Sequence, residues 1–176
     1  GQADFLMLIV VDGLNKTITP IQIDRDTMAE VTVLGVLGNV TGMRNTQICL
    51  SHGFGDGREA SCELTVGAVS RLLLGKEIDY YISVNLEGIA TLNDAIGGVT
   101  VTLADDFSAL DPLMKRGATL TLRGVQAEYF VRNRMDIGVG TNEARMVRQQ
   151  VYWDGLSSRL SQRLQEEKNA NFLGER

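Results

Sequence analysis

The residues most suited to a chemical role are four arginines late in the chain. Arg132 and Arg134 are followed by Arg145 and Arg148, with a glycine-containing loop over residues 135–141 between the two pairs. Guanidinium groups bind phosphate oxygens through paired hydrogen bonds, and this spacing predicts an anion site. A solvated arginine face is the alternative interpretation. Its charge partners would be Glu128, Asp136 and Glu143.

Two predicted helices position these arginines. Residues 124–131 are predicted as a helix, and Arg132 and Arg134 at its exit project to the same side only if the chain is extended there. Asn142 is the predicted N-cap of a final helix over residues 143–164, whose positive dipole end points toward the loop. Three polar residues then share one face of that helix by their i, i+3 and i+4 spacing. They are Arg145, Arg148 and Gln149.

A second polar group lies near the N-terminus, where a predicted hairpin of residues 5–11 and 17–23 ends in the segment Asp24–Thr27. Proteins of the α/β class tend to place ligands at strand ends. Arg25, flanked by two acids, is equally explained as an internally neutralised surface group. Asp4, just before the first strand, is a candidate oxygen ligand for Mg²⁺.

The remaining pattern predicts one α/β domain. Helices are predicted from Ser61 and over residues 85–96. Further strands are predicted at 30–34, 47–51, 78–84, 99–103 and 118–122. Because strand, helix and strand follow in short order, a parallel βαβ unit is expected. We therefore predict a single-domain α-β-α sandwich over residues 1–165, with a central mixed sheet and helices packed on both sides, followed by a polar tail over residues 166–176.

The composition excludes several classes of protein. The 176 residues are 44% hydrophobic and 22% charged, which is globular rather than disordered. The formal net charge of −5 argues against nucleic acid as a partner. Neither a P-loop nor a G-x-G-x-x-G motif is present. Because the chain begins almost directly in a strand, we expect that a signal or anchor segment has been removed.

Two cysteines leave an alternative open. Cys49 and Cys62 lack the spacing and the histidine partners of a zinc site. They are either two thiols or a disulfide of an exported protein.

Seven segments, in this order and spacing, resemble the LytR–CpsA–Psr family of cell-envelope glycopolymer ligases over roughly residues 4–151. They are Asp4–Leu8, Ile23–Thr27, Ile78–Ile82, Leu86–Ile89, Ile96–Val99, Phe130–Arg134 and Arg145–Gln149. The resemblance implies a phosphotransferase that moves a glycopolymer from a polyprenyl pyrophosphate carrier to peptidoglycan by phosphodiester formation. It also implies an N-terminal membrane anchor, a domain at the extracytoplasmic face and an apolar tunnel for the prenyl chain.

The resemblance assigns roles by position. Residues that match the family's pyrophosphate contacts are Arg25, Arg132, Arg134, Arg145 and Gln149. Asp4 matches an aspartate that binds Mg²⁺, and Arg148 is a possible supporting residue. Asp26 either orients Arg25 or accepts the proton of the acceptor hydroxyl, and orientation is favoured because Arg25 is adjacent. Arginines and Mg²⁺ suit phosphoryl transfer, which needs positive charge on oxyanions more than covalent chemistry.

The chain also departs from the family pattern. Gln2 stands where an arginine is usual, and the second metal aspartate would lie upstream of Gly1. Asp24 replaces a proline, Gln47-Ile48-Cys49 replaces lysine–isoleucine–asparagine, and Asn142 replaces an aspartate. These departures keep a second hypothesis open, a non-catalytic polyprenyl-phosphate-binding protein of the cell envelope.

Overall fold

The computed structural model describes residues 1–133, 137–138 and 140–174. Two compact units make up the chain, Gly1–Ser83 and Val84–Arg176. The predicted α/β class is confirmed, with helices and short strands in both units. Within the described residues, the strands form three two-stranded antiparallel sheets. The prediction of a parallel βαβ unit is therefore wrong.

The first unit begins with the predicted hairpin. Strands β1 (Leu6–Asp12) and β2 (Thr17–Ile23) pair antiparallel along their full length. The Asp12 carboxylate stabilises the turn by accepting hydrogen bonds from the backbone N–H groups of Leu14 and Asn15 at 2.9 and 3.0 Å. These bonds, chiefly that from Asn15, hold the pKa of Asp12 below its usual value.

The rest of the first unit packs one helix against a second hairpin. Strands β3 (Met28–Leu34) and β4 (Val40–Gln47) lead into a 3-10 helix (Ile48–Phe54) and helix α1 (Glu59–Leu72). The predicted strand at residues 47–51 is wrong, because the chain turns after Gln47 into that 3-10 helix. The small buried core comprises Ala29, Val31, Ile48, Ala68 and Val69.

Residues 78–84 were predicted as a strand and form none. A strand exists only where its backbone N–H and C=O groups pair with those of another strand. Residues 78–84 pair with no strand in the described part of the chain. Tyr80 and Ile82 belong to residue types that favour strands, but they are 91% and 92% exposed and are therefore not buried against a sheet. Without this strand, the predicted strand at residues 99–103 has no parallel partner among the described residues.

The second unit contains helix α2 (Leu86–Ala95), strands β5 (Thr100–Thr102) and β6 (Thr119–Thr121), helix α3 (Val125–Arg132) and helix α4 (Asn142–Gly174). All five were predicted. Helix α4 is longer than expected, because the predicted polar tail continues it to Gly174. Gly155 lets α4 approach β5 closely, since a Cβ there would lie 2.5 Å from Cγ1 of Val99.

Asn93 links four parts of the second unit from a fully buried position. Its Nδ2 donates to the carbonyl of Leu122 at 2.8 Å, and its Oδ1 accepts from the backbone N–H of Val99 at 3.1 Å. The hydroxyl of Tyr152 on α4 donates to the same Oδ1 at 3.3 Å. Burial raises the pKa of Tyr152 to about 12, so this hydroxyl keeps its proton.

We expect Asn93→Ala to lower the free energy of unfolding of the second unit by about 2–4 kcal/mol, because a buried N–H and a buried carbonyl lose their partners. Urea unfolding followed by the fluorescence of Trp153, the single tryptophan, measures this change. Gln162→Ala, which alters an exposed amide on α4, is the control and should change stability by less than about 0.5 kcal/mol. Equal effects of the two substitutions would contradict the linking role of Asn93.

Candidate functional site

Arg25 lies just after β2, where the chain turns toward β3. Its carbonyl accepts a hydrogen bond from the backbone N–H of Cys49 at 3.1 Å, which ties the strand end to the 3-10 helix. Its guanidinium donates to Oδ1 of Asp4, to Oε1 of Gln2 and, at 3.2 Å, to Sγ of Cys49. The side chain is only 11% exposed. The structure therefore brings together Arg25 and Asp4, a pairing that the sequence analysis did not predict.

Asp26 lies beside the same guanidinium. Its Oδ1 is 3.5 Å from Nε of Arg25 and accepts a hydrogen bond from Nε2 of Gln47 at 3.1 Å. The carboxylate of Asp24 accepts from the backbone N–H of Asp26 at 2.9 Å and so fixes the local turn. This geometry is compatible with the orienting role that we prefer for Asp26.

Arg132 ends helix α3 and is the most exposed of the described site arginines. Its side chain is 53% exposed, and Nη1 donates to Oε1 of Glu128, one turn earlier, at 2.9 Å. The chain is extended at Asn133, with φ −68° and ψ 138°, which is the backbone geometry that the sequence argument required after Arg132. Arg134 lies outside the described residues.

Arg145, Arg148 and Gln149 lie on one buried face of α4, as their spacing predicted. They are 3%, 4% and 5% exposed, so the alternative of a solvated arginine face does not hold for Arg145 and Arg148. Nη2 of Arg145 donates to Oδ1 of Asn142 at 2.7 Å. The predicted cap is wrong by one residue, because Thr141 provides the Oγ1 that accepts from the backbone N–H of Ala144 at 3.2 Å.

Gln149 and Arg148 both contact the end of α3. Nε2 of Gln149 donates to the carbonyl of Val131 at 3.2 Å, and Nε of Arg148 donates to the carbonyl of Phe130 at 3.1 Å. Asp105 pairs with Arg148 at 3.0 Å. The sequence analysis missed Asp105, since it lies 43 positions from its partner in an acidic loop whose composition gives no pairing signal.

The magnesium prediction depends on few donors. Among the residues that the structure describes, no group of three or more His, Cys, Asp or Glu side chains is arranged to hold a metal ion. Asp4 is 46% exposed and shares one carboxylate oxygen with Arg25. Mg²⁺ often binds one or two carboxylates together with substrate phosphates and water, so a single aspartate fits the ion only with a phosphate ligand present.

Other site features concern the lipid and the membrane. A cavity of about 310 Å³ beside α4 is lined by polar residues and glycines, unlike an apolar tunnel: Gly98, Thr100, Gly155, Ser158, Arg159 and Gln162. In the described part of the chain, no helix combines the length and the apolar character needed to cross a membrane.

These features can be compared with known proteins. The LytR_cpsA_psr family matches residues 1–171. The chain therefore belongs to the LytR–CpsA–Psr family.

Among its relatives is the polyisoprenyl-teichoic acid–peptidoglycan teichoic acid transferase TagU of Bacillus mycoides. It is 30% identical over 151 residues, which cover 86% of this chain and 45% of TagU. The cell wall biosynthesis protein LcpA of Corynebacterium glutamicum is 31% identical over 175 residues, covering 89% of this chain and 32% of LcpA. The chain thus spans less than half the length of these relatives.

Solved structures confirm the fold. The crystal structure of Bacillus subtilis TagV superimposes with a TM-score of 0.69 at 26% identity, covering 92% of this chain and 58% of TagV. The structure of TagT bound to LI-WTA gives a TM-score of 0.67 at 22% identity, covering 90% of this chain and 58% of TagT, and at that identity it supports the fold alone.

The cysteine alternative is resolved in favour of two free thiols, with Cys49 buried and Cys62 half-buried. We expect unreduced, denatured protein to take up two alkyl groups, and native protein to be alkylated first at Cys62 because its thiol is more accessible. Intact mass after iodoacetamide treatment measures both. Cys62→Ser is the control and should leave only slow uptake of one group; a denatured, unreduced chain that takes up none would require a disulfide.

Proposed function

We propose that this chain is the catalytic domain of a phosphotransferase that moves a glycopolymer from a polyprenyl pyrophosphate carrier to peptidoglycan, forming a phosphodiester. The observation that carries the proposal is the 30% identity to TagU over 86% of the chain. The same relationship supports a place in the cell envelope. An N-terminal anchor that holds the domain at the extracytoplasmic face belongs to the proposal.

The chemistry of the site supports this function. Phosphoryl transfer requires an oriented pyrophosphate and positive charge on its developing oxyanions. Arg132 offers a half-exposed guanidinium whose pairing with Glu128 is a surface ion pair of small net energy. A pyrophosphate can therefore compete for it with little cost. We assign Arg134 and Arg145 to the same anion by their family positions.

Arg25 is the second proposed anion contact. Its guanidinium is paired with the carboxylate of Asp4, so the group already has an anionic oxygen as a partner. Asp26 holds the Nε side of the group, 3.5 Å away. We propose that Arg25 binds a pyrophosphate oxygen while Asp26 keeps the guanidinium oriented.

Magnesium is a further part of the proposal. Asp4 is the described residue that would hold the ion, with substrate phosphates completing the ligands. The ion would supply positive charge to the pyrophosphate oxygens. Asp4, being shared with Arg25, would place that charge beside the arginine contact.

The second candidate function is binding without transfer. It is favoured by one contact: Gln2 presents a neutral oxygen to Arg25 at the position where the family usually carries an arginine. A site with one cationic group fewer binds the anion but stabilises transition-state charge less.

We expect Arg132→Ala to weaken binding of geranylgeranyl pyrophosphate roughly tenfold to a hundredfold, because a charge-assisted contact to the anion is lost. Titration calorimetry measures the dissociation constant, and circular dichroism checks the fold. The control is Arg116→Ala, which removes an exposed arginine of the same unit and should leave affinity unchanged. Unchanged affinity in Arg132→Ala, or loss of its fold, would contradict the assignment.

We expect Asp4→Asn to remove the gain in affinity that Mg²⁺ gives the wild-type protein, a change on the order of tenfold or more. The same titration with and without Mg²⁺ measures it. Asp24→Asn is the charge-matched control, since it also removes a carboxylate next to Arg25, and it should keep the Mg²⁺ response. If wild-type binding does not respond to Mg²⁺, the binding protein becomes the better description.

A further inference from the structure

Two consecutive side chains of helix α4 donate hydrogen bonds to backbone carbonyls at the end of helix α3. Nε of Arg148 donates to the carbonyl of Phe130 at 3.1 Å, and its Nη2 donates to the carbonyl of Asn133. Nε2 of Gln149 donates to the carbonyl of Val131 between them, at 3.2 Å. Carbonyls in the last turn of a helix lack partners within the helix, so these bonds complete the C-terminus of α3.

The Arg148 side chain is fully committed to this position. It is 5% exposed, and Nη1 donates to Oδ2 of Asp105 at 3.0 Å. Its Cζ also lies 5.5 Å from the centre of the Phe107 ring, within range of a cation–π interaction. A buried guanidinium that donates to two carbonyls and a carboxylate is unsuited to contact a substrate anion. A positive charge at the C-terminus of α3 is also favourable to the helix dipole.

Arg132 lies between two residues whose carbonyls accept hydrogen bonds from α4. It follows Val131 and precedes Asn133, while its own side chain is 53% exposed. The backbone on both sides is therefore fixed by α4. This fixes the position and direction from which the exposed Arg132 side chain leaves the backbone. Catalytic and binding groups lose effectiveness when they are displaced by about 1 Å, so the fixed backbone position of Arg132 affects how well it binds an oriented anion.

We propose that Arg148, supported by Asp105, is a positioning residue that fixes the exit of α3 and through it the direction of Arg132. This inference rests on the proposed function, because it gives Arg132 an anion to bind. Arg148 touches no substrate in this arrangement. Its effect on binding passes through Arg132, and that dependence separates it from a residue that only stabilises the unit.

A double-mutant cycle with geranylgeranyl pyrophosphate tests the proposal on the full chain. Arg148→Lys keeps the positive charge but cannot reproduce the planar set of donors. We expect it to weaken binding about tenfold in the wild-type background. In the Arg132→Ala background, we expect no further loss, since the residue that it positions is already absent.

Arg159→Lys is the matched control. Arg159 also lies on α4 and donates through Nε to a carbonyl at a helix end, that of Ile96 at 2.9 Å. Its hydrogen bonds and ion pair in the described part of the chain go to Ile96, Gln162 and Glu166 rather than to α3, so Arg159→Lys should leave the affinity at the wild-type value. Amide hydrogen exchange gives an independent measurement: Arg148→Lys should speed exchange at Asn133, whose N–H donates to the carbonyl of Tyr129 at 3.2 Å.

Each outcome decides the matter. Wild-type affinity in Arg148→Lys, or an equal loss in both backgrounds, would overturn the positioning role and leave the proposed function intact. Absence of binding by the wild-type protein would overturn the proposed function and the inference with it. If Arg148→Lys does not fold, Asp105→Asn enters the same cycle with a smaller expected loss of about threefold. Loss of the fold in both variants would make Arg148 a stability residue and overturn the proposal.

Discussion

The carbonyl oxygens at the C-terminus of α3 must find hydrogen-bond donors, and α4 provides them. Arg148 and Gln149 reach back to Phe130 and Val131 from a face of α4 that is almost completely buried. A buried backbone carbonyl without a partner is costly, so this requirement fixes the two helices against each other. The exposed Arg132 takes its position from that packing. The order of causes runs from backbone satisfaction to helix placement and then to the direction of one guanidinium.

Burial divides the arginines of the site into different roles. Arg148 is surrounded by oxygen acceptors and an aromatic ring, and its charge serves the interior of the second unit. Arg25 is 11% exposed and has anionic oxygens on two sides, so its charge is largely compensated within the first unit. Arg132 keeps half of its side chain accessible. Sequence places these residues in one class, whereas among the site arginines that the structure describes Arg132 is the most accessible to an anion.

Polar hydrogen bonds also organise the interior of the second unit. Asn93 joins α2, β5, the end of β6 and α4 through one buried amide, and Tyr152 on α4 completes it. Asn93 lies on the chain just before the Gly97-Gly98 turn, where both glycines adopt positive φ. A Cβ at Gly98 would lie 2.6 Å from the carbonyl of Leu122, the same carbonyl that Asn93 binds. The turn therefore needs glycine so that the asparagine can reach its acceptor.

The sequence by itself determined the features that depend on neighbouring residues. The first hairpin, helices α2, α3 and α4, and the shared face of Arg145, Arg148 and Gln149 all follow from local periodicity and turn chemistry. Tertiary structure decided the features that depend on distant partners. It turned residues 48–54 into a 3-10 helix, left residues 78–84 without a ladder, and joined Asp105 to Arg148 across 43 positions. Hydrogen-bond partners and burial depend on which elements pack against each other, and the order of residues along the chain does not show that packing directly.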